Sequence, residues 1–361
     1  MSNYKIDIES KLIKEKDNIL KDLPEFLFTY IDEILPSRSN ELRSHIAAAK
    51  DIINFLKYYS DKFLKKDINN LNLTDIDATT IRVLNSYFKY ITKYTIKYKS
   101  SKGKEITRVR TNSTSSKARK LASLKKFYEY LFKNNLITHN PTADMKITRP
   151  EISKINCRLD LFEINELKRE ILLGENLKTS RERKAFERLK LRDITIFLLV
   201  SYTGIRVSEL VSLDISDINT MNCTLKVIRK NNKIQEIPYP FEITQDIDTY
   251  LKYRINFFRK IPEEYRKALF LSQQNKRISE DSIRKLLKKY SNRLNIRNVS
   301  CHTFRRTFLS TLYNNTKDIK LVSRIGGHSI STASKYYVDV DDDRYRYEIS
   351  KFSYSNDKKR Y

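Results

Sequence analysis

A mainly α-helical protein of two domains, with one small antiparallel β-sheet in the second, is what this sequence predicts. Three observations predict it. Apolar residues recur at helical spacing through the first 140 or so positions. The pattern changes character after Asn140-Pro141. Near residues 225–238 alone it switches to alternation around a polar turn. The 361 residues suffice for two domains with their own cores.

Residues 1–140 form the expected helical N-terminal domain. A helical segment covers residues 6–35. In the next, Ile46, Ala49, Ile52, Ile53, Leu56 and Tyr59 share one face. Another runs near residues 79–98, and one from about 115 to 135 carries Leu121, Leu124, Tyr128 and Leu131 on one side. Its cations Lys117, Arg119 and Lys120 either enter a nucleic-acid groove or form a solvated face. Residues 98–116, rich in Lys, Arg, Ser and Thr with Gly103, read as an exposed basic loop, either a DNA clamp or simply solvated. Residues 141–157, with Pro141 and Pro150, are the expected linker. Residues 158–345 form the second domain. There Leu161–Leu173 is helical, and 193–200 is an apolar helical run ending near Gly204. Leu225, Val227 and Arg229, a turn at Asn231-Asn232, and residues 234–238 read as a β-hairpin. Helices resume at about 279–294, 302–313 and 319–325. The tail, 346–361, is charged with scattered Tyr and Phe, and is either a frayed end or a docking segment.

Composition narrows the function. Lys and Arg total 71 against 44 Asp and Glu, a formal charge of +27, which favours a polyanionic partner such as DNA; a Lys-, Asn- and Ile-rich proteome accounts for part of it. With 40% hydrophobic residues the charge decorates a folded surface. Five glycines are too few for a Gly-rich nucleotide loop, so no cofactor is expected. Cys157, Cys223 and Cys301 are odd in number and widely spaced, which implies neither a disulfide framework nor a metal site and fits a reducing cytoplasm. The charged first 20 residues, and the lack of any run of roughly 18 apolar residues, argue against secretion and membrane spanning.

Arg206, His302, Arg305, His328 and Tyr337 are residue types suited to attack on a phosphodiester. Such a transesterification needs a nucleophile, neutralisation of a pentacoordinate phosphorane and a proton for the departing 5′ oxygen. A guanidinium stays ionised and grips two non-bridging oxygens at once. A tyrosine hydroxyl, with a pKa of about 10, attacks only where a base and positive charge assist it. On the helix from residue 302, Phe304, Phe308 and Leu312 define the buried direction; Arg305 lies roughly 60° from its centre and Arg306 roughly 160° away. Arg305 is therefore expected at the core edge and Arg306 outside. Tyr336 and Tyr337 lie within one turn of Ala333, and helix geometry does not separate them.

The segment Thr203-Gly204-Ile205-Arg206-Val207-Ser208-Glu209-Leu210, then His302-Thr303-Phe304-Arg305, then Gly327-His328 and Tyr337, resembles the tyrosine recombinases, also called phage-type integrases. That family places its nucleophile nine residues after the histidine of the Gly-His pair, as Tyr337 stands to His328. The resemblance covers residues 158–340. Over the helical N-terminal part it is architectural, most like the Xer subgroup and its single-protein members in low-GC Gram-positive bacteria.

The resemblance implies a C-shaped clamp of a helical core-binding domain and a mainly helical catalytic domain. It implies that Arg206 and Arg305 bind the scissile phosphate and that His302 acts as general base or hydrogen-bond donor. It further implies that Lys230, in the hairpin turn it shares with Lys233, protonates the leaving oxygen. His328 would donate to the phosphate, Tyr337 would attack it, and Glu209 would support the site. A 3′-phosphotyrosyl linkage stores the bond energy, so neither ATP nor a metal is implied. The implied partners are a double-stranded DNA target site and a homotetramer on two such sites, with accessory proteins where the system uses them, on the cytoplasmic nucleoid. Arg306 replaces a usual histidine, as a DNA-backbone contact or a tolerated change, and Asp339 replaces another. Two rivals are a type IB topoisomerase-like relaxase and a DNA-binding protein that has lost catalysis. Chromosome-dimer resolution is favoured over integration of a mobile element.

Overall fold

The structure, a computed structural model, describes residues 3–38, 41–99, 103, 105–148, 158–229, 233–256, 261–296 and 299–337. The chain forms two mainly helical compact units, Met1–Ser153 and Lys154–Tyr361. Cys157, Lys230, Asp339 and the tail 346–361 fall outside the described residues.

The first unit begins with α1 (Asn3–Leu20), α2 (Glu25–Thr29) and α3 (Leu35–Arg38), where one longer helical segment is expected. Pro24 divides it: the residue is extended, at φ −56° and ψ 145°, and serves as the N-cap of α2. A π-helical turn, Tyr30–Ile34, joins α2 to α3. Then follow α4 (Leu42–Tyr59), α5 (Leu73–Asp77), α6 (Ile81–Tyr90) and α7 (Thr114–Lys133). The expected apolar faces of α4 and α7 are buried against each other in a core rich in aromatic rings, among them Phe55, Tyr87, Phe127 and Tyr128.

Between α6 and α7 the sequence expectation fails. The helix expected over 79–98 stops at Tyr90, and the expected loop is largely strand: β1 (Lys93–Lys99) pairs antiparallel with β2 (Glu105–Thr111). Tyr94 lies opposite Arg110, Ile96 opposite Arg108 and Tyr98 opposite Ile106. β-branched and aromatic residues favour the strand, and Gly103, at φ +76°, has the left-handed backbone that a tight turn uses. Tyr94, Ile96 and Ile106 are half-buried while their neighbours are exposed, but the cations among them hide this short alternation.

The second unit holds α8 (Leu161–Leu173) and α9 (Ser180–Thr203), the latter longer than expected because Thr179 caps it well before its apolar run. After Gly204 come α10 (Val207–Ser212), β3 (Ile218–Asn219), β4 (Thr224–Ile228) and β5 (Ile234–Pro238). The expected hairpin is β4–β5, and the two-residue β3 adds a third antiparallel strand in the order β3-β4-β5. Four helices complete the unit after α11 (Thr244–Asn256): α12 (Glu280–Arg293), α13 (Cys301–Thr316), α14 (Ile319–Gly326) and α15 (Ile330–Tyr337). α13 packs on α9, with Phe304 edge-on to Phe197 at 5.4 Å. Its other neighbours are α14 and α15, around Leu309, Val322, Ala333 and Tyr337.

Candidate active site

Four turns of chain converge on one point of the second unit. Gly204 ends α9 in the left-handed conformation, φ +58°, and aims the chain at Arg206, the N-cap of α10. A side chain at 204 would drive its Cβ to 2.7 Å from Phe308, so this close approach requires glycine. Glu209 sits three residues on. Its Oε2 accepts from the Arg206 backbone N–H at 2.8 Å and its Oε1 from the Arg206 guanidinium at 2.8 Å. The mid-helix Arg305 of α13 is 3% exposed. His328 follows Gly327, which closes α14 at φ +57°. Tyr337 is the last residue of α15, 2% exposed.

Arg305 Nη1 donates to the Gly204 carbonyl at 2.6 Å, and Nη2 donates to the Gly326 carbonyl and approaches His328 Nε2 at 2.7 Å. A guanidinium can only donate, so Nε2 is the acceptor and the neutral ring carries its proton on Nδ1. Tyr337 Oη lies 3.2 Å from the same Nε2. Arg206 Nη2 donates to the Gly327 carbonyl at 2.9 Å while its side chain stays 36% exposed. The constellation is therefore a tyrosine hydroxyl beside a proton acceptor and two guanidinia, one of them open to solvent.

The electrostatics follow from that crowding. Burial, then Arg305, Arg206 and Arg229, push the His328 imidazole down to about 4, so it is neutral at physiological pH. Burial also lowers Arg305, to about 10, which leaves it charged. The Tyr337 hydroxyl is pushed above its usual value by burial, which outweighs the pull of Arg305, Arg306 and Arg206. Tyr337 is thus protonated before reaction and must hand its proton over to attack. Among the described residues no cluster of His, Cys, Asp or Glu is placed to hold a metal ion.

Arg206, Glu209, Arg305, His328 and Tyr337 are brought together as the sequence reading expects. His302 stands one turn before Arg305 on α13, exposed, and burial together with Arg306 and Arg305 lowers its pKa. Arg306 is half-buried and lies over the Tyr336 ring at 5.8 Å. That contact separates the two tyrosines: Tyr336 faces Arg306, and Tyr337 faces His328. Lys230 lies outside the described residues, while its neighbour Arg229 closes the turn by donating its N–H to the Lys233 carbonyl at 2.7 Å.

In the first unit, Arg119 and Lys120 both pair with the buried carboxylate of Asp51, and Lys117 donates to Thr92 Oγ1 at 3.2 Å. Sequence reasoning missed Arg229 as part of the site. Its guanidinium reaches Glu209 Oε1 at 3.1 Å and the Ile325 carbonyl at 2.7 Å while 8% exposed. The available signal was an arginine two positions beyond Val227 and four beyond Leu225, continuing the inward register of an alternating strand.

The phage integrase family model matches residues 173–344. A tyrosine recombinase XerC of Caldanaerobacter subterraneus is 29% identical over 342 residues, which cover 91% of this chain and 86% of the relative. A tyrosine recombinase XerD of Staphylococcus epidermidis is 28% identical over 242 residues, 66% of this chain and 77% of its own. Among solved structures, the Tn1549 transposon integrase in complex with transposon right end DNA superposes with a TM-score of 0.64 at 16% identity, covering 90% of this chain and 98% of that one. The XerH site-specific recombinase bound to difH substrate, in its pre-cleavage complex, gives 0.59 at 17% identity, over 87% and 80%.

Proposed function

We propose that this chain, matched over residues 173–344 by the phage integrase family model and similar to the tyrosine recombinases XerC and XerD, is a tyrosine recombinase that cuts and rejoins double-stranded DNA at a specific site through Tyr337. One observation carries the assignment of the nucleophile: Tyr337 Oη lies 3.2 Å from His328 Nε2, which is itself 2.7 Å from Arg305. Arg206 and Arg305 bind the non-bridging oxygens of the scissile phosphate, and His328 and His302 complete its hydrogen bonding. Tyr337 Oη attacks phosphorus as its proton passes to a general base, the role that the family resemblance gives to His302. The phosphorus–5′-oxygen bond breaks, and Lys230 gives that oxygen its proton. A 3′-phosphotyrosyl bond and a free 5′ hydroxyl result, and attack by another strand's 5′ hydroxyl reverses the step. Guanidinia already held in place supply the largest part of the transition-state stabilisation.

The catalytic unit is taken as residues 158–345, joined through 141–157 to the DNA-gripping unit 1–140. In that first unit the β1–β2 ribbon, with Lys93, Lys97, Lys99, Arg108 and Arg110 against Glu105, is the primary DNA contact. Arg119 and Lys120 are engaged by Asp51. Four copies on two sites form the working assembly. Likeness to XerC over 91% of this chain supports chromosome-dimer resolution as the role.

The test uses nicked suicide duplexes drawn from the gene's own flanks and from the chromosome terminus, scored for a covalent protein–DNA adduct. Wild type is expected to form the adduct and Tyr337→Phe none; an adduct in the variant would remove Tyr337 from its role. Capture at the terminus is the outcome expected for dimer resolution, and capture at the gene's flanks would assign the chain to a mobile element. A Lys230→Ala protein is expected to cleave slowly but to recover on a duplex whose 5′ bridging oxygen is sulfur, because a thiolate leaves without a proton.

A further inference from the structure

We propose that Arg229 is a positioning residue of the cleavage site, whose buried guanidinium ties the Glu209–Arg206 pair and the Gly326-Gly327-His328 turn to the end of β4. The inference rests on the strand-cleavage reading above and adds a part to its machinery.

All three nitrogens of the Arg229 guanidinium are directed inward. Nε donates to Gln235 Oε1 at 3.1 Å, and Nη2 to the Ile325 carbonyl at 2.7 Å. Nη1 reaches Glu209 Oε1 and Oε2 at 3.1 and 3.3 Å and the Gly326 carbonyl at 3.3 Å. Gly327 lies flat against it: a Cβ there would stand 3.0 Å from Nη1 and 3.1 Å from Cζ. Two segments away from its own hairpin, one at Glu209 and one at Ile325-Gly326, are therefore held by one side chain that also grips Gln235. A planar fork with five donors can do this, whereas a lysine ammonium on a flexible stem cannot grip a carboxylate and two carbonyls in fixed directions.

The contacts fall where the site needs rigidity. α14 ends at Gly326 with carbonyls that its own helix leaves unpaired, and guanidinia take three in succession: Arg229 on Ile325, Arg229 and Arg305 on Gly326, and Arg206 on Gly327. Cations at that helix terminus also meet the negative end of its dipole. His328 follows directly, so its ring position relative to Arg305 and Tyr337 depends on this arrangement. Glu209 is the sole carboxylate that the described hydrogen bonds give to Arg206, and Arg229 shares it. Arg229 thereby fixes Glu209 from one side while Arg206 extends from the other towards solvent. Arg206 and Arg305 face the phosphate in the proposed reaction. Arg229, with every nitrogen committed to protein, acts through them.

The charged and titratable groups around His328 are Arg305 and His302 from α13, Arg206 just before α10, Arg229 just after β4 and Tyr337 from α15. Lysine and glutamine at 229 therefore separate two effects. Arg229→Lys keeps the charge and loses the fork; Arg229→Gln loses both. Full-length protein is assayed on the suicide duplexes described above, with duplex affinity measured in parallel. The titration of His328 is followed by NMR of histidine-labelled protein, which carries only four such rings.

Adduct formation at saturating protein is expected to fall about tenfold or more in both variants, with duplex affinity within about twofold of wild type. The His328 midpoint is expected to move up in Arg229→Gln and to stay in Arg229→Lys. A rate within about twofold of wild type in Arg229→Gln overturns the proposal, as does a rate loss matched by an equal loss of affinity. Gln235→Met frees Nε without leaving a buried carboxylate unpaired, and is expected to slow cleavage about threefold. If the Arg229 variants do not fold, an unchanged rate in Gln235→Met overturns the proposal. If wild type itself forms no adduct, the cleavage reading fails separately, and an unmoved His328 midpoint in Arg229→Gln then overturns the role of Arg229.

Discussion

Burial and three guanidinia hold the His328 imidazole down to about 4, well below the value near 6.5 of an unfolded chain. Between those two values the unfolded state binds the proton and the native state does not, so stability rises with pH through that window. The contribution is complete above about 6.5 and is lost as pH falls towards 4. Wild type is therefore expected to lose melting temperature between pH 6.5 and 4 more steeply than His328→Gln, as read by thermal scans at fixed salt; parallel curves would contradict the buried neutral imidazole. A second residue-scale prediction concerns Gly327, at φ +57° with the Arg229 guanidinium 3.0 Å from any added Cβ. Gly327→Ala is expected to cost about 1–2 kcal/mol from the left-handed backbone alone, measured by urea unfolding, and to slow adduct formation because Arg229 must shift. At this scale much of the site was legible: His328 and Tyr337 stand out by their spacing, and the wheel that put Arg305 at the core edge agrees with its 3% exposure. The choice between Tyr336 and Tyr337 was not legible from the helix, because adjacent positions in one turn differ only in what they face.

The β1–β2 ribbon is the element whose structure the sequence concealed, and its charge is the basis of its proposed role in gripping DNA. Its strands alternate Lys and Arg with Tyr, Ile, Thr and Val, and Lys97, Arg108 and Arg110 are exposed. An apolar-in, polar-out rhythm appears only when one face is buried. In the ribbon only Tyr94, Ile96 and Ile106 are even half-buried, and with cations between them the segment reads as loop, whereas α4 and α7, buried along one face, read correctly. A two-stranded ribbon fits the major groove of B-form DNA, and its cations contribute a salt-dependent, sequence-independent affinity. Replacing Lys97, Arg108 and Arg110 by Gln is expected to weaken binding to a random-sequence 40-bp duplex. The slope of log affinity against log salt should become shallower by about 0.9 for each phosphate contact removed. An unchanged slope would take the ribbon out of the DNA interface. The matched Arg119→Gln and Lys120→Gln changes on α7 are expected to act instead on the stability of the first unit, because each strips a partner from the buried carboxylate of Asp51.

On the scale of the whole molecule, the helical class followed from periodicity, which reports contacts within an element and is silent on which elements meet. The active site lies in that silent part: Arg206 reaches a carbonyl 121 residues away, and Arg229 one 97 residues away. Only the motif resemblance, which carries information about a fold already formed, placed those segments side by side in advance. Net charge is the other whole-molecule property, and it bears on assembly. At +27 per chain, copies repel one another until a polyanion neutralises them. The duplex supplies that neutralisation, and it also sets the spacing of copies along a site. Free protein is therefore expected to sediment as a monomer at about 0.15 M salt, where screening over about 8 Å still leaves repulsion between the cations that a protein contact would bring together. Addition of duplexes carrying the captured site is expected to give a species of two copies per site, and then four copies on two sites. Raising the salt should dissociate these assemblies along with DNA binding rather than leave a protein tetramer behind. A tetramer that persists without DNA would mean that protein contacts overcome the charge unaided.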